Sequence, residues 1–435
     1  MRYVVFEGLP AAGKSEVLEL LARFYPERLR VFPEIVKEVA TREGIDLFAE
    51  RNRLTQAILA ALPRRREEIE EALALGELCL EESHLGVHLA YSIALGDPTF
   101  GDAYATAEDA LPHPDLYLRL EIPVELSLVR QRARGTPQFE VGREALDRMS
   151  AHLAAWHLER KTPFLSLDAD RPAAELLADV ERILGLDYRK AQIASAGLFD
   201  VLLLLGRPAS GKSEFIDFMR KCPHERRAAR YHVGRFEVVD DFVTLWEKFE
   251  EDDLWERVGR PRLYSRRAGD NYVVADDRIW PFLVGRINQR AEAVLSGTGG
   301  CPPETLLVEF SRGGRSGYAD ALRGLSPRLL ARAAILFVSV TFEESLRRNL
   351  ARYDAARSGG ILTHSVPREE MERTYTTDDW PCLASQSHGV LELGGVRVPY
   401  VTMENEPELF DAVLLDRRYR RALDSLSTLW QESRG

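Results

Sequence analysis

Gly8-Leu9-Pro10-Ala11-Ala12-Gly13-Lys14-Ser15 and Gly206-Arg207-Pro208-Ala209-Ser210-Gly211-Lys212-Ser213 both fit G-x-x-x-x-G-K-[ST] in full. Each follows an apolar run, Tyr3 to Phe6 and Val201 to Leu205, and each opens a helical pattern. That strand, loop, helix context turns the motif into a structural statement. From Gly8 to Glu16 and from Gly206 to Glu214, seven of nine residues are identical, including a proline at the third place and a glutamate after the serine. The agreement exceeds what the motif requires and points to a duplication, the alternative being two loops shaped separately by the same constraint. The loops lie 198 residues apart, close to the size of one α/β unit.

A triphosphate is held by several backbone N–H groups converging on its oxygens, so the loop must curl tightly, and glycines at its ends permit conformations that a Cβ obstructs. The following helix adds the positive end of its dipole. The expected cradle is Gly8, Ala11, Ala12, Gly13, Lys14, Ser15 and Glu16 in the first copy. In the second it is Gly206, Ala209, Ser210, Gly211, Lys212, Ser213 and Glu214. Lys14 and Lys212 would reach the β- and γ-phosphates, and the hydroxyls of Ser15 and Ser213 would ligate Mg²⁺. ATP and Mg²⁺ are the cofactors this chemistry implies.

The chain of 435 residues, 45% apolar and 29% charged, has the make-up of an ordinary globular protein. No apolar stretch approaches a membrane span and the N-terminus shows no signal-peptide pattern, so the cytoplasm is the expected compartment. Cys79, Cys222, Cys301 and Cys382 are scattered without C-x-x-C, which argues against a disulfide framework or zinc site. His84 and His88 are spaced i, i+4 without a visible third ligand and read as a packed or solvated pair. A net charge of −11 argues against nonspecific nucleic-acid binding, whereas small phosphorylated substrates need only local arginines.

Apolar runs predict strands at Tyr3 to Glu7, Leu29 to Phe32, Leu78 to Leu80, Leu116 to Leu120 and Phe164 to Leu167. The same order returns at Phe199 to Leu205, Phe236 to Val239, Thr305 to Phe310, Ala334 to Val340 and Tyr400 to Met403. Strands alternating with helices imply parallel sheets with helices on both faces and ligands beyond the carboxyl ends of the strands. The fold class is therefore α/β, with two tandem P-loop domains: residues 1–188, a connector at 189–197, and residues 198–435 with an inserted cap around 242–300.

The first half, to about residue 185, resembles the thymidylate kinase and deoxynucleoside kinase families of P-loop nucleotide kinases. Phe6-Glu7-Gly8 runs into the loop as it does there, and Pro33-Glu34-Ile35-Val36 looks like the P-E-P-V segment of deoxynucleoside kinases. In that family the glutamate serves as base near the acceptor hydroxyl, a role the resemblance gives to Glu34. Arg130-Gln131-Arg132-Ala133-Arg134-Gly135 follows the fourth strand as an arginine-bearing lid does in both families, and Leu167 to Pro172 resembles the end of a thymidylate kinase. Lid arginines closing over phosphates stabilise spread negative charge. One departure stands out. Deoxynucleoside kinases carry Glu-Arg-Ser and thymidylate kinases Asp-Arg-Tyr after the third strand, whereas this chain has Leu80-Glu81-Glu82-Ser83-His84. Glu81 is taken as the acid there, and the arginine is missing.

The second half is a more divergent, kinase-like copy. Asp240 and Asp241 end its second strand, Glu309-Phe310-Ser311-Arg312 ends its third, and Arg347, Arg348 and Arg352 follow the fourth at helical spacing. The stretch Gly359 to Pro367 reads as a lid tip, and Asp276-Asp277-Arg278 rivals Glu309 and Arg312 for the acid and arginine role. The expected function is transfer of the γ-phosphoryl of ATP to a nucleoside, a nucleoside monophosphate or a similar small acceptor, with a homodimer among the assemblies the resemblance implies. The alternatives are an ATP-sensing regulatory protein with one or both sites degenerate, and a kinase of a polynucleotide end or another small molecule.

Overall fold

Six consecutive buried residues, Tyr3–Gly8, form β1, and such an uninterrupted buried run belongs at the centre of a parallel sheet covered on both faces. The computed structural model describes residues 2–25, 28–97, 99–108, 110–134, 140–159, 161–186, 197–269, 271–297, 303–314, 316–351, 366–409 and 411–434. The chain divides into two compact units, Met1–Asp187 with Asp411–Asp416, and Tyr188–Phe410 with Arg417–Gly435. Among the described residues no helix is long and apolar enough to cross a membrane.

In the first unit β1 is joined by β2 (Leu29–Phe32), β3 (Leu78–Glu82), β4 (Leu116–Glu121) and β5 (Phe164–Asp168). The order is β2-β3-β1-β4-β5, and every pairing is parallel. The chain leaves β1 toward one edge of the sheet and later returns on its other side, so the loop after β1 sits at a topological switch point, where open α/β sheets bind ligands. One core cluster joins Tyr3 and Val5 of β1 to Ile35, Val39, Ile58, Ile69 and Trp156 from the helices.

The second unit contains β6 (Val201–Leu205), β7 (Phe236–Asp240), a separate hairpin β8 (Ser265–Ala268) and β9 (Asn271–Val274), then β10 (Thr305–Phe310), β11 (Ala333–Ser339), β12 (His388–Leu393) and β13 (Val396–Glu404). Its sheet runs β12-β13-β11-β6-β10-β7. From β7 to β13 the pairings are parallel and repeat the connectivity of the first sheet. The sheet is not wholly parallel, as the sequence had suggested, because β12 pairs antiparallel with β13 at the edge. The cause is local: Gly394 and Gly395, at φ 60° and 83°, bridge Leu393 and Val396 with the two left-handed residues that a tight hairpin turn requires. β6 lies at the centre with all five side chains buried.

Candidate active site

The first loop leaves β1 with Gly8 at φ 140°, a conformation closed to other residues because an added Cβ would stand 2.5 Å from the Leu120 carbonyl oxygen. It runs through Ala11 at φ 59° and Gly13 at φ 97° into the helix Lys14–Phe24, whose first turn also holds Glu16. Lys14 Nζ donates to the carbonyls of Gly8 and Leu9 at 2.9 and 3.1 Å, which folds the side chain back over the loop. Burial pushes its amine below the ordinary lysine value, against the pull of Glu34 and Glu82. Ser15 Oγ donates to Glu82 at 2.6 Å. Lys37 bridges Glu34 at 2.7 Å and Glu82 at 3.3 Å. Behind the loop, Glu7 is fully buried, accepts the His84 N–H at 3.2 Å, and is held well above the usual carboxylate range by that burial.

These groups open into a chamber lined by the loop, Glu34, Lys37, Glu82, Gln131 and Glu140, and farther out by Phe48, Arg51, Thr55, His88, Tyr91 and Asp97. His88 packs edge-on against Phe100 with ring centroids 4.2 Å apart, and its Nε2 finds no partner among the described residues. Burial pushes its pKa down to about 4, so the ring is neutral at physiological pH.

Glu81 lies outside this constellation. It is buried behind the sheet, accepts from Arg65 at 2.8 Å and from the Tyr3 hydroxyl, and Arg65 in turn holds Glu38 and the Pro33 carbonyl. Neighbouring residues of a strand point to opposite faces, so when Glu82 faces the loop Glu81 cannot. Arg130 donates to the Ala169 carbonyl at 3.3 Å and Arg132 is exposed; neither lines the chamber, and the side chain of Arg134 lies outside the described residues.

The second loop repeats this backbone: Gly206 at φ 146°, Ala209 at 55° and Gly211 at 106° lead into the helix Lys212–Lys221, with Glu214 in its first turn. Lys212 Nζ donates at 2.9 Å to the carbonyls of Gly206 and Arg207 and to Ser311 Oγ. Ser213 Oγ reaches Glu309 at 3.3 Å. Glu309 is the acid of the third strand that meets the loop serine here. Asp240 ends β7 in register with Glu309 and caps the following helix by accepting the Phe242 N–H at 2.8 Å. Burial, then the charges of Glu309 and Asp241, push its pKa up to about 7. Asp241, also raised by burial, is paired with Arg312 at 2.6 Å. Arg312 lies with its guanidinium carbon 5.2 and 5.1 Å from the ring centres of Trp280 and Phe310. The chamber continues between Phe242, Trp246, Tyr272 and Trp280.

Arg347 and Arg348 do not enter the second chamber. Arg347 is spent on Glu344 and Glu408 at 2.7 and 2.5 Å, and buried Arg348 on Glu344 and the Asn405 carbonyl, both at 2.7 Å. Arg352 and most of the segment Gly359 to Pro367 lie outside the described residues. Arg278 folds back on Asp276 of its own turn, and neither lines the chamber.

No family model matches the chain. A thymidylate kinase from Xanthomonas campestris pv. campestris is 35% identical over an alignment of 224 residues that covers 47% of this chain and 95% of that protein. The thymidylate kinase of Rhodopseudomonas palustris is 30% identical over an alignment of 193 residues that covers 41% of this chain and 81% of that protein. The chain belongs to the thymidylate kinase family. It is a kinase, and the matched part covers a relative almost end to end while leaving about half of this chain beyond it. A solved deoxyadenosine kinase from M. mycoides aligns with 42% of this chain and 99% of its own at 17% identity and a TM-score of 0.35, too low a likeness to bear on function.

In this thymidylate kinase family member the two loops are braced by serines that sequence reasoning passed over. Ser127 Oγ donates to the Pro10 carbonyl at 2.7 Å, and Ser345 Oγ to the Pro208 carbonyl at 2.7 Å. Gln131 Oε1 accepts the Val141 N–H at 2.9 Å, and Asn349 Oδ1 the Val366 N–H at 2.9 Å. Arg130 and Arg348 tie their helices to Ala169 and Asn405, each the first residue beyond β5 or β13. The signal was present as Glu125-Leu126-Ser127-Leu128-Val129-Arg130 set against Glu343-Glu344-Ser345-Leu346-Arg347-Arg348, where Glu, Ser, Leu and Arg recur at the first, third, fourth and sixth places.

Proposed function

We propose that the chain is a tandem phosphotransferase in which each unit binds ATP with Mg²⁺ and transfers the γ-phosphoryl group to a nucleoside, a nucleoside monophosphate or a similar small acceptor. The supporting observation is the repetition of one cradle: two loops with matching φ angles, each with its lysine amine folded onto the same pair of loop carbonyls and its serine hydroxyl against a carboxylate from the neighbouring strand. In this reading 1–188 and 198–435 act as separate domains.

The donor set suits Mg²⁺. Among the described residues no group of three or more His, Cys, Asp or Glu could hold a metal, whereas Mg²⁺ in phosphoryl-transfer sites takes one or two protein oxygens and completes its shell with phosphate and water. Ser15 and Ser213 would contribute their hydroxyls, and the ion would neutralise charge developing between the β- and γ-phosphates. The lysines swing from the loop carbonyls to the phosphate oxygens. In the first unit Lys37, held between Glu34 and Glu82, supplies a positive charge on the side where the family's arginine is replaced by Ser83.

Calorimetry of the full chain with ATP and Mg²⁺ tests this. Two sites are expected, with Lys14→Ala and Lys212→Ala each removing one and each abolishing transfer at that site. Undiminished binding and transfer in both variants would sink the reading. The substitution of Ser83 for arginine favours one rival, a first unit that binds ATP without turnover. That rival requires the Lys212→Ala variant to bind ATP and yield no product with any acceptor.

A further inference from the structure

The second loop carries a side chain that its counterpart lacks. Arg207 stands where the first loop has Leu9, and each of its three nitrogens is engaged: Nε donates to the Tyr375 carbonyl at 3.0 Å, Nη1 to the Val340 carbonyl at 2.9 Å, and Nη2 pairs with Asp378 at 2.7 Å. Tyr375 and Asp378 belong to one segment, 368–379, in which Met371–Tyr375 take the wider π turn, a rare form that gathers at functional sites. The same segment supports the loop that follows β10. The Gly314 N–H donates to the Thr377 carbonyl at 2.9 Å, and Gly313 lies so close that an added Cβ would stand 2.3 Å from the Thr374 carbonyl oxygen. At its other end the segment holds the β8–β9 hairpin. Buried Glu370 accepts the Val274 N–H at 3.0 Å and also takes Arg373 and Thr374, Glu369 pairs with Arg266, and Arg373 reaches Asp277 at 3.2 Å. Asn271, Tyr272 and Val274 of that hairpin line the chamber.

Resting on the reading that the second loop binds ATP with Mg²⁺, we propose that the segment 368–379 is a strap through which nucleotide at that loop orders the β8–β9 hairpin at the chamber wall, with Arg207 as the positioning residue at the donor end. The coupling turns on Lys212, whose amine donates at 2.9 Å both to the Arg207 carbonyl and to Ser311 Oγ. Each acceptor leads to the strap. Arg207 reaches it through its own guanidinium, and Ser311 through Gly313 and Gly314. A triphosphate competes for the lysine, so both acceptors are released together and the loop settles against phosphate instead. The guanidinium carries that shift to Tyr375 and Asp378. A ligand moves an equilibrium only by interacting unequally with its two states, and the exchange of partners at Lys212 supplies the inequality. The hairpin is suited to respond: its two strands of four residues pair only with each other, and a lone two-stranded hairpin is marginal, so its order depends on the elements that hold it. With leucine at the same place, the first loop has no such link.

The test follows amide exchange by mass spectrometry in the full chain carrying Lys14→Ala, so that nucleotide enters through the second loop alone, with and without ATP and Mg²⁺. Exchange across β8 and β9 should slow about tenfold or more when nucleotide is added. A second chain adds Arg207→Leu, the residue of the first loop, together with Asp378→Asn. That pairing leaves no buried carboxylate without its cation and keeps the oxygen that accepts the Trp380 N–H. By equilibrium dialysis this chain should bind ATP within about threefold of its parent, which also shows that it is folded, and yet the slowing should be lost. Slowing that persists in it means that nucleotide touches the hairpin directly, and overturns the proposal. So does ATP binding by the parent with no change in β8 and β9, or loss of ATP binding in the second chain alone, which would place Arg207 in the nucleotide cradle. Absence of ATP binding in the parent is a different failure: it removes the second loop's nucleotide role, and the strap falls with it.

Discussion

His88 makes the first unit sensitive to mild acid. Its ring is buried between the chamber and Phe100, and burial lowers its pKa from 6.5 to about 4. An unfolded chain takes up the proton near pH 6.5, whereas the folded chain resists it until about pH 4. Between those values the unfolded state binds more protons, so stability falls as pH falls; above pH 6.5 the full stability is present, and below 4 the loss is complete. For this pair of values, linkage gives a loss of about 2 kcal/mol between pH 7 and pH 5, and about 3 kcal/mol over the whole window. The measurement is urea unfolding of the full chain at pH 7, 6 and 5, comparing wild type with His88→Gln, which cannot titrate. Exchange of the amides of the helix Leu85–Ala94, followed by mass spectrometry, assigns the effect to this unit. The variant should show a pH dependence shallower by about 2 kcal/mol over that interval. Equal slopes in the two proteins, or an NMR titration placing His88 near 6.5, would refute the reasoning.

Arg65→Met should lower stability by about 3–5 kcal/mol, because it strands Glu81, 1% exposed, without its cation. Thermal melts should show most of that loss recovered in the double variant Arg65→Met, Glu81→Leu. Gly206→Ala would drive a Cβ to 2.4 Å from the Val338 carbonyl oxygen and 2.8 Å from Ser210 Oγ, at a φ of 146° that alanine avoids. The loop must distort at a cost of about 1–3 kcal/mol or more, so ATP binding at the second site should weaken at least about tenfold while the first site is untouched, as site-resolved calorimetry would show. Asp252 is fully buried and accepts the N–H groups of Leu263, Tyr264 and Ser265 at 2.8, 2.8 and 2.7 Å, which fixes the segment entering the β8–β9 hairpin. Asp252→Ala leaves three donors unmet, costing about 1–3 kcal/mol each if they stay dry. The hairpin should therefore loosen and residues 259–268 should become cleavable by limited proteolysis; unchanged cleavage would count against its anchoring role.

Strands were legible where they are buried on both faces. Thr305–Phe310 appears with the bounds its apolar run suggests, because a central parallel strand needs continuous hydrophobicity. β12 was missed because it is an edge strand: His388-Gly389-Val390-Leu391-Glu392-Leu393 is only half-buried, and its partner is chosen by the Gly394-Gly395 turn rather than by its own pattern. At the site, residue type was easier to read than phase. Glu81 and Glu82 are equally acidic, and only the two-residue period of β3, fixed by its pairing with β1, decides which carboxylate meets Ser15. The arginines after the fourth strands failed differently. Arg347 and Arg348 have Glu344 three and four residues before them, close enough on a helix to claim both, so their spacing described an ion-pair network rather than a reach over phosphate.

The duplication gains physical content from what the two units share and what they do not. In the proposed reading every feature repeated at both loops serves the donor: the left-handed glycines, the lysine folded on two carbonyls, the serine hydroxyl on a carboxylate, and the brace from Ser127 or Ser345 to the loop proline carbonyl. A triphosphate presents the same oxygens wherever it binds, so its cradle has one solution in backbone terms. The tips of the second strands diverge, with Glu34 and Lys37 in one unit and Asp240 in a chamber of aromatic and basic side chains in the other. Three places beyond the acid at that tip stands Lys37 in the first unit and Val243 in the second, and in the proposed reading Lys37 meets the acceptor. Lys37→Val should then cost the first unit affinity for any phosphate-bearing acceptor while sparing ATP. A variant that loses ATP and acceptor affinity equally would place Lys37 in the donor half and remove this division.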